Sequence, residues 1–273
     1  MTIPMVALND GTAIPQIGFG VWQVPDDVVA GATLAALEAG YRHIDTAAVY
    51  ENERGVGEAI AASGLDRSDL YVTTKVWNTD QGFDSTLAAM DHSLTLLGLD
   101  HVDLYLVHWP APATGDFMNT WRALLELQKR GKTTSVGVSN FHSAHLHQIV
   151  DEFGVVPVLN QIELHPQLPQ SDLRAVNASM GIVTEAWSPL ASGELISNPV
   201  LVDIGNKYGK SAAQVMIRWH VQLGNVVLPK SVTPERIREN LNVFDFELDA
   251  DDLQRIAALE DGHRTGPDPD HFM

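Results

Sequence analysis

Apolar positions along this chain fall into short runs that alternate with segments of helical period. The runs Ile17–Gly20, Arg42–Asp45, Leu70–Lys75, Val102–His108, Thr134–Ser139, Val158–Gln161, Ile182–Ala186 and Asn225–Pro229 read as eight strands. Between them, apolar residues recur at three- and four-residue spacing over Asp26–Ala39, Glu53–Ala62, Asp84–Leu97, Phe117–Lys129, Ser143–Glu152, Leu168–Ala178, Asn198–Tyr208 and Ser211–Leu223. Two more helical segments follow, Pro234–Asn240 and Ala250–Leu259. At the start, Ile3–Leu8 and Thr12–Ile14 flank Asn9-Asp10-Gly11, a turn signal that predicts a hairpin capping one end of the fold.

Strands alternating with helices imply a parallel sheet. Eight such units in one domain imply closure into a cylinder, so the expected fold is α/β, a (β/α)8 TIM barrel with an N-terminal β-hairpin cap and extra C-terminal helices. No composition break divides residues 1–273, and one domain is expected. The strands are near-continuous apolar runs, as both-face burial requires, with Leu104-Tyr105-Leu106-Val107 the clearest. A doubly wound dinucleotide fold would need G-x-G-x-x-G after the first strand. Gly18-Phe19-Gly20 starts such a motif, but Gln23 occupies the third glycine position.

Charge and composition narrow the function classes. The chain carries 35 acidic and 17 basic residues, for a formal charge of −18. Such a field repels nucleic acid and anionic membrane, so neither is an expected partner, and an anionic ligand would need a local basic patch. Without cysteine there are no disulfides, thiolate nucleophiles or cysteine-ligated metals. No leader-like segment or long apolar span is visible, and a cytoplasmic protein is expected.

Barrel chemistry gathers at the C-terminal strand ends. There the sequence places Asp45, Lys75 and His108 on strands two, three and four, with Tyr50 five residues beyond Asp45. A carbonyl that accepts hydride also needs a proton. A tyrosine can supply it if a neighbouring cation lowers its pKa from about 10. Lys75 could be that cation, kept charged by Asp45, and His108 could orient the carbonyl oxygen. Each residue also has a purely structural reading: Asp45 with Thr46 as a helix cap, Lys75 at the surface, His108 and Tyr50 as packing. Their convergence on one rim favours chemistry.

The segments carrying these residues are similar to the aldo-keto reductase family. They are Gly40–Glu53 around Asp45 and Tyr50, Thr73–Asn78 around Lys75, Leu104–Pro110 around His108, then Gly137–Phe141, Asn160–Pro166 and Lys230–Asn240, in order. The compact length, short loops and tail Gly266–Phe272 resemble the bacterial 2,5-diketo-D-gluconate reductases. The resemblance implies an NADP-dependent enzyme that reduces aldehydes, ketones, dicarbonyls or keto sugars, with Asp45, Tyr50, Lys75 and His108 catalytic and Tyr50 the general acid. It implies NADPH across the barrel mouth, its carboxamide held by Ser139, Asn140 and Gln161 and its ring stacked on Trp187, where many relatives have tyrosine. Ser188, Leu190 and Ser192 line the pyrophosphate crossing, and Glu239 and Asn240 meet the adenine. Lys230 and Arg236 flank the 2′-phosphate, with Ser231 beside them, at a helix start signalled by Thr233-Pro234. A monomer is implied.

Trp22, Trp77 and Trp109 follow strands one, three and four and should wall a substrate pocket above His108, with Phe19 and Asn78 in reach. The short loop His108–Phe117 leaves the site open, and the tail beyond Glu260, rich in Gly, Pro and Asp, should fold over it. Two other classes remain: a barrel lyase with Lys75 as a Schiff-base nucleophile, and a non-catalytic cofactor-binding module. No metal is expected. His142, His145 and His147 cluster on a helix with no evident carboxylate partner and read as a solvated face.

Overall fold

A computed structural model of the protein describes residues 3–113 and 115–272. Thr114, inside the loop after the fourth barrel strand, lies outside the described residues, as do residues 1, 2 and 273. The first two strands, β1 (Met5–Ala7) and β2 (Ala13–Pro15), pair antiparallel as the hairpin. Eight parallel strands follow: β3 (Phe19–Gly20), β4 (His43–Asp45), β5 (Tyr71–Val76), β6 (Val102–Val107), β7 (Thr133–Ser139), β8 (Leu159–Glu163), β9 (Val183–Trp187) and β10 (Val226–Val227), hydrogen-bonded in chain order. The sheet closes on itself. Gly18 N donates to Val227 O and Val227 N to Gln16 O, each at 3.0 Å, and Ile17 bridges Val227.

The helices α1 (Asp26–Ala39), α2 (Glu53–Ala62), α3 (Phe83–Leu97), α4 (Phe117–Lys129), α5 (Ser143–Phe153), α6 (Ser171–Ser179), α7 (Pro199–Tyr208) and α8 (Ala212–Gln222) surround the cylinder. Two more, α9 (Pro234–Leu241) and α10 (Ala250–Ala257), come after β10. None of the described helices is long and apolar enough to cross a membrane.

Side chains alternate along each strand. Ile44, Val72, Val76, Tyr105, Val107, Val136 and Val138 face outward into the core shared with the helices. Tyr71, Leu104, Leu106 and Leu159 face inward, where Leu8 and Ile14 from the hairpin pack beneath them and stopper the cylinder. The inner apolar layer thus ends halfway up. The next inward positions are Asp45, Lys75, Gln161 and Glu185, all buried.

Gly18 owes its place to this interior and not to a phosphate turn. A Cβ there would stand 2.5 Å from His43 Nδ1. The helix expected from Leu168 begins at Ser171. Leu168 precedes a proline, which disfavours helical backbone, and instead forms a turn with His165 through reciprocal hydrogen bonds.

Candidate active site

Lys75 Nζ donates to Asp45 Oδ1 at 2.6 Å and to the carbonyl of Thr46 at 2.8 Å, with both partners of the ion pair fully buried. Burial alone would favour the neutral amine, but Asp45 and Tyr50 outweigh it and hold the Lys75 pKa above its usual value. The ammonium lies 5.1 Å from the centre of the Tyr50 ring. A Schiff base would need a neutral amine open to substrate, whereas this one is charged, doubly bonded and beneath the cleft wall. The helix-cap reading of Asp45 and Thr46 also fails: Asp45 faces Lys75, and Thr46 Oγ1 donates to Asn52.

Tyr50 sits on a short 3-10 turn, Ala48–Tyr50, and not at the opening of α2. Its ring meets the His108 ring edge-on at 5.7 Å. The structure corrects one expectation about it. Burial raises the Tyr50 pKa above 10, because desolvation exceeds the lowering by Lys75 and because Asp45 and Glu185 add negative charge. Tyr50 is therefore a protonated phenol at neutral pH. His108 is held well below the usual histidine range, by burial first and Lys75 second, and is neutral. Its Nδ1 is buried without a partner, while the ring borders the cleft.

Above this floor opens a cleft of about 960 Å³. Ser139, Asn140 and Gln161 lie along one side of its floor. Asn140 Nδ2 donates to the His108 carbonyl and to Ser139 Oγ, both at 3.0 Å, while Asn140 Oδ1 accepts the indole N–H of Trp187 at 2.8 Å. A tryptophan can thus be tied to the floor in a way that fixes its ring. Ser188, Leu190 and Ser192 continue the wall. Lys230 and Ser231 before α9, Arg236 in its first turn and Glu239 and Asn240 in its last also border the cleft. Pro234 has no N–H and Thr233 makes no side-chain cap, so the Glu235 and Arg236 amides of the first turn of α9 stay available. Arg238 reaches Glu235 at 3.8 Å, whereas Lys230 and Arg236 have no ion-pair partner among the described residues. Eight described non-glycine residues have positive φ, and four of them, Gln23, Asn140, Ser188 and Ser192, border this cleft. Such strain persists where the surroundings impose it, typically at functional sites.

Trp22, Trp77 and Trp109 all border the cleft, with Trp22 45% exposed at its lip. Trp77 meets His108 edge-on at 5.1 Å and Trp109 stacks on it at 6.5 Å. Phe19 does not reach the site; it is buried against Tyr41. Asn78 does not border the cleft either, and its amide is buried without a partner.

The tail does fold over the mouth: Gly266, Pro267 and Phe272 border the cleft, and Phe272 packs 4.5 Å from Trp109. Its anchor, Glu163, is not evident from the motifs. The buried Glu163 carboxylate accepts from Thr265 Oγ1 at 2.7 Å and from the Gly266 amide at 3.2 Å. Gly266 is required there, since a Cβ would stand 2.4 Å from the Trp187 ring. The histidine cluster also needs correction. His142 caps α5 and lies 2.8 Å from Asp270 of the tail, a partner 128 residues away, while His145 is buried between Phe117 and Phe141.

The other group missed is Glu185, also buried. Strand alternation could have found both acids, because Glu185 stands two residues before Trp187 and Glu163 two after Gln161. Burial, then the charge of Asp45, pushes the Glu185 pKa up to about 8 from 4.5. Between those values the folded chain holds one more proton than the unfolded chain, so this group's contribution to stability declines as pH rises through the window. Glu185→Gln removes that dependence. Denaturation midpoints at pH 5 and 8 should differ less in the variant than in the parent.

A sequence model described as the aldo/keto reductase family matches residues 16–261. An aldo-keto reductase from Mycolicibacterium smegmatis is 56% identical, with 98% of each chain covered. Methylglyoxal reductase DkgA from Escherichia coli is 50% identical, again with 98% of each covered. Among solved structures, a variant of Gox0644 in complex with NADPH superposes with a TM-score of 0.96 at 46% identity over the whole of both chains.

Proposed function

The chain belongs to the aldo/keto reductase family, and on that premise we propose that it reduces small reactive carbonyl compounds with NADPH, using Tyr50 as general acid. It is an NADP-dependent oxidoreductase. Dicarbonyls of the methylglyoxal type head the substrate list, followed by simple aldehydes, ketones and keto sugars. The likeness to 2,5-diketo-D-gluconate reductases agrees with the DkgA relatives. A single-domain, monomeric enzyme fits this reading, since every group it invokes comes from one chain, and a cytoplasmic location is proposed with it.

The residues present suit the coenzyme. At the far end of the cleft, two unpaired cations and free helix amides suit a phosphate, in a protein whose overall charge opposes anions. At the near end, Ser139, Asn140 and Gln161 offer polar groups for a carboxamide beside the flat Trp187 indole. Lys230 and Arg236 would flank the 2′-phosphate, with Ser231 alongside. Ser188, Leu190 and Ser192 would border the pyrophosphate, and Glu239 and Asn240 the adenine. When bound, the reduced nicotinamide supplies the hydride.

The protein's own groups do the rest. Neutral His108 holds the carbonyl oxygen through its cleft-facing edge, and the tryptophans exclude water around it. Tyr50 gives its phenolic proton to that oxygen as negative charge grows there. The Lys75 ammonium stabilises the phenolate left behind, and Asp45 keeps Lys75 charged until solvent returns the proton. The buried Lys75–Asp45 pair beside Tyr50 at the floor of an open cleft carries this reading. It is tested by following NADPH oxidation with methylglyoxal, phenylglyoxal, glyceraldehyde and a keto-gluconate. Steady turnover with the dicarbonyls is expected, and no oxidation with any of the four would defeat it.

Coenzyme preference gives a second check. Arg236→Ala should weaken NADPH binding about 10- to 150-fold, the worth of hydrogen bonds to a charged group at about 1.5–3 kcal/mol. NADH binding should change less than about threefold by the same reasoning. Equal losses for both would remove the 2′-phosphate role.

A further inference from the structure

Glu185 is a buried carboxyl group that, among the described residues, pairs with no lysine or arginine and does not border the cleft. Its Oε2 accepts from Gln161 Nε2 at 2.7 Å. Its Oε1 has no hydrogen-bonding partner and faces His43 Nδ1 across 3.9 Å. Setting a second carboxyl beside Asp45 in the dry interior is unfavourable, as its raised pKa records. A group kept at that cost calls for a local reason.

Gln161 supplies one. It stands opposite Glu185 in the parallel register of β8 and β9, and unlike Glu185 it borders the cleft. A primary amide has two N–H donors and one oxygen. Gln161 Nε2 donates to Glu185 Oε2 and, at 2.9 Å, to Asp45 Oδ2, so both donors are committed. With the Glu185 proton on Oε1, the oxygen that faces His43, turning the amide over would set its oxygen against the Asp45 carboxylate and the Glu185 carbonyl oxygen and forfeit both bonds where water cannot replace them. Its oxygen is therefore left as the group's free polar atom.

We infer that Glu185 is a positioning residue: with Asp45 it locks the Gln161 amide so that only an acceptor is offered to the cleft, which selects a carboxamide over a carboxylate on the coenzyme ring. This rests on the reading of Gln161 as a carboxamide contact. A carboxamide N–H can donate to that oxygen, whereas a carboxylate would meet it acceptor to acceptor. With its pKa pushed up to about 8, Glu185 is mostly protonated at pH 7, so glutamine presents the same carbonyl to Gln161 with little change of charge. Leucine presents nothing, and the amide is then held by Asp45 alone.

The test measures affinities at pH 7 for three probes, NADP+, its nicotinic-acid analogue and 2′,5′-ADP, in the parent and in Glu185→Leu, Glu185→Gln and Gln161→Leu. In Glu185→Leu, NADP+ should weaken about 3- to 10-fold, the range of one hydrogen bond, and its advantage over the nicotinic-acid analogue should narrow. The same variant should keep 2′,5′-ADP, which lacks the ring, within about twofold, and Glu185→Gln should restore NADP+. Equal loss of NADP+ and 2′,5′-ADP in Glu185→Leu marks a merely structural role and overturns the inference. So does an unchanged preference for NADP+ in that variant while Gln161→Leu weakens NADP+ selectively. If Gln161→Leu itself leaves NADP+ unaffected, the carboxamide reading falls and this inference with it.

Discussion

Tyr50→Phe is expected to lower kcat by about 10²–10⁴-fold, the usual contribution of a placed general acid, while NADPH still binds. The substitution removes one oxygen from a half-buried ring that borders the cleft and leaves the edge-on contact with His108 available. No other described group is placed to replace that proton. His108 is kept neutral by burial and by Lys75, and Lys75 is engaged by Asp45 and Thr46. The raised Tyr50 pKa sharpens the expectation. The phenol keeps its proton through neutral pH, so reduction is not limited by loss of the acid form there. Fluorescence titration with NADPH and steady-state assays would separate the two effects. A Tyr50→Phe enzyme within a few-fold of parental kcat would remove Tyr50 from the chemistry.

Lys75→Met should be the more damaging change to the molecule as a whole. It strands Asp45 in the interior, and breaking a buried pair from one side costs about 3–5 kcal/mol. Activity should fall with it, because the phenolate formed at Tyr50 loses its neighbouring cation. The defect has a pH signature. Burial already holds the Asp45 pKa above its usual value with Lys75 beside it, and without that cation it rises further, so the buried group keeps its proton to higher pH. Its contribution is then least unfavourable at low pH and is lost as pH rises through the folded value. Urea denaturation should therefore show a smaller gap between variant and parent at pH 5 than at pH 8. A constant gap would mean that Asp45 is not the stranded charge.

Much of this was legible in the residues. Near-continuous apolar runs separated by helical segments specify eight parallel strands, and the ordered motifs place Asp45, Lys75 and His108 at successive strand ends. What stayed hidden depended on side chains meeting across the cylinder. Whether burial or Lys75 dominates at Tyr50 is a balance of opposing effects that spacing cannot weigh. Glu163 and Glu185 lie one inward step from recognised positions, yet their partners, Thr265 and Gln161, are 102 and 24 residues away. His142 found a carboxylate only because the tail returns across the mouth. Phe19 failed for a local reason: the alternation that sends its neighbours inward turns it out against Tyr41.

The most direct measurement uses NADPH deuterated at the nicotinamide carbon that gives up hydride, with methylglyoxal as acceptor, followed by mass analysis of the product in one unquenched portion and of the protein in a second portion quenched with borohydride. One deuterium on the new carbinol carbon for each NADPH oxidised, with Lys75 unmodified, is the predicted result. Product without deuterium, or acceptor trapped covalently on Lys75, would contradict the account.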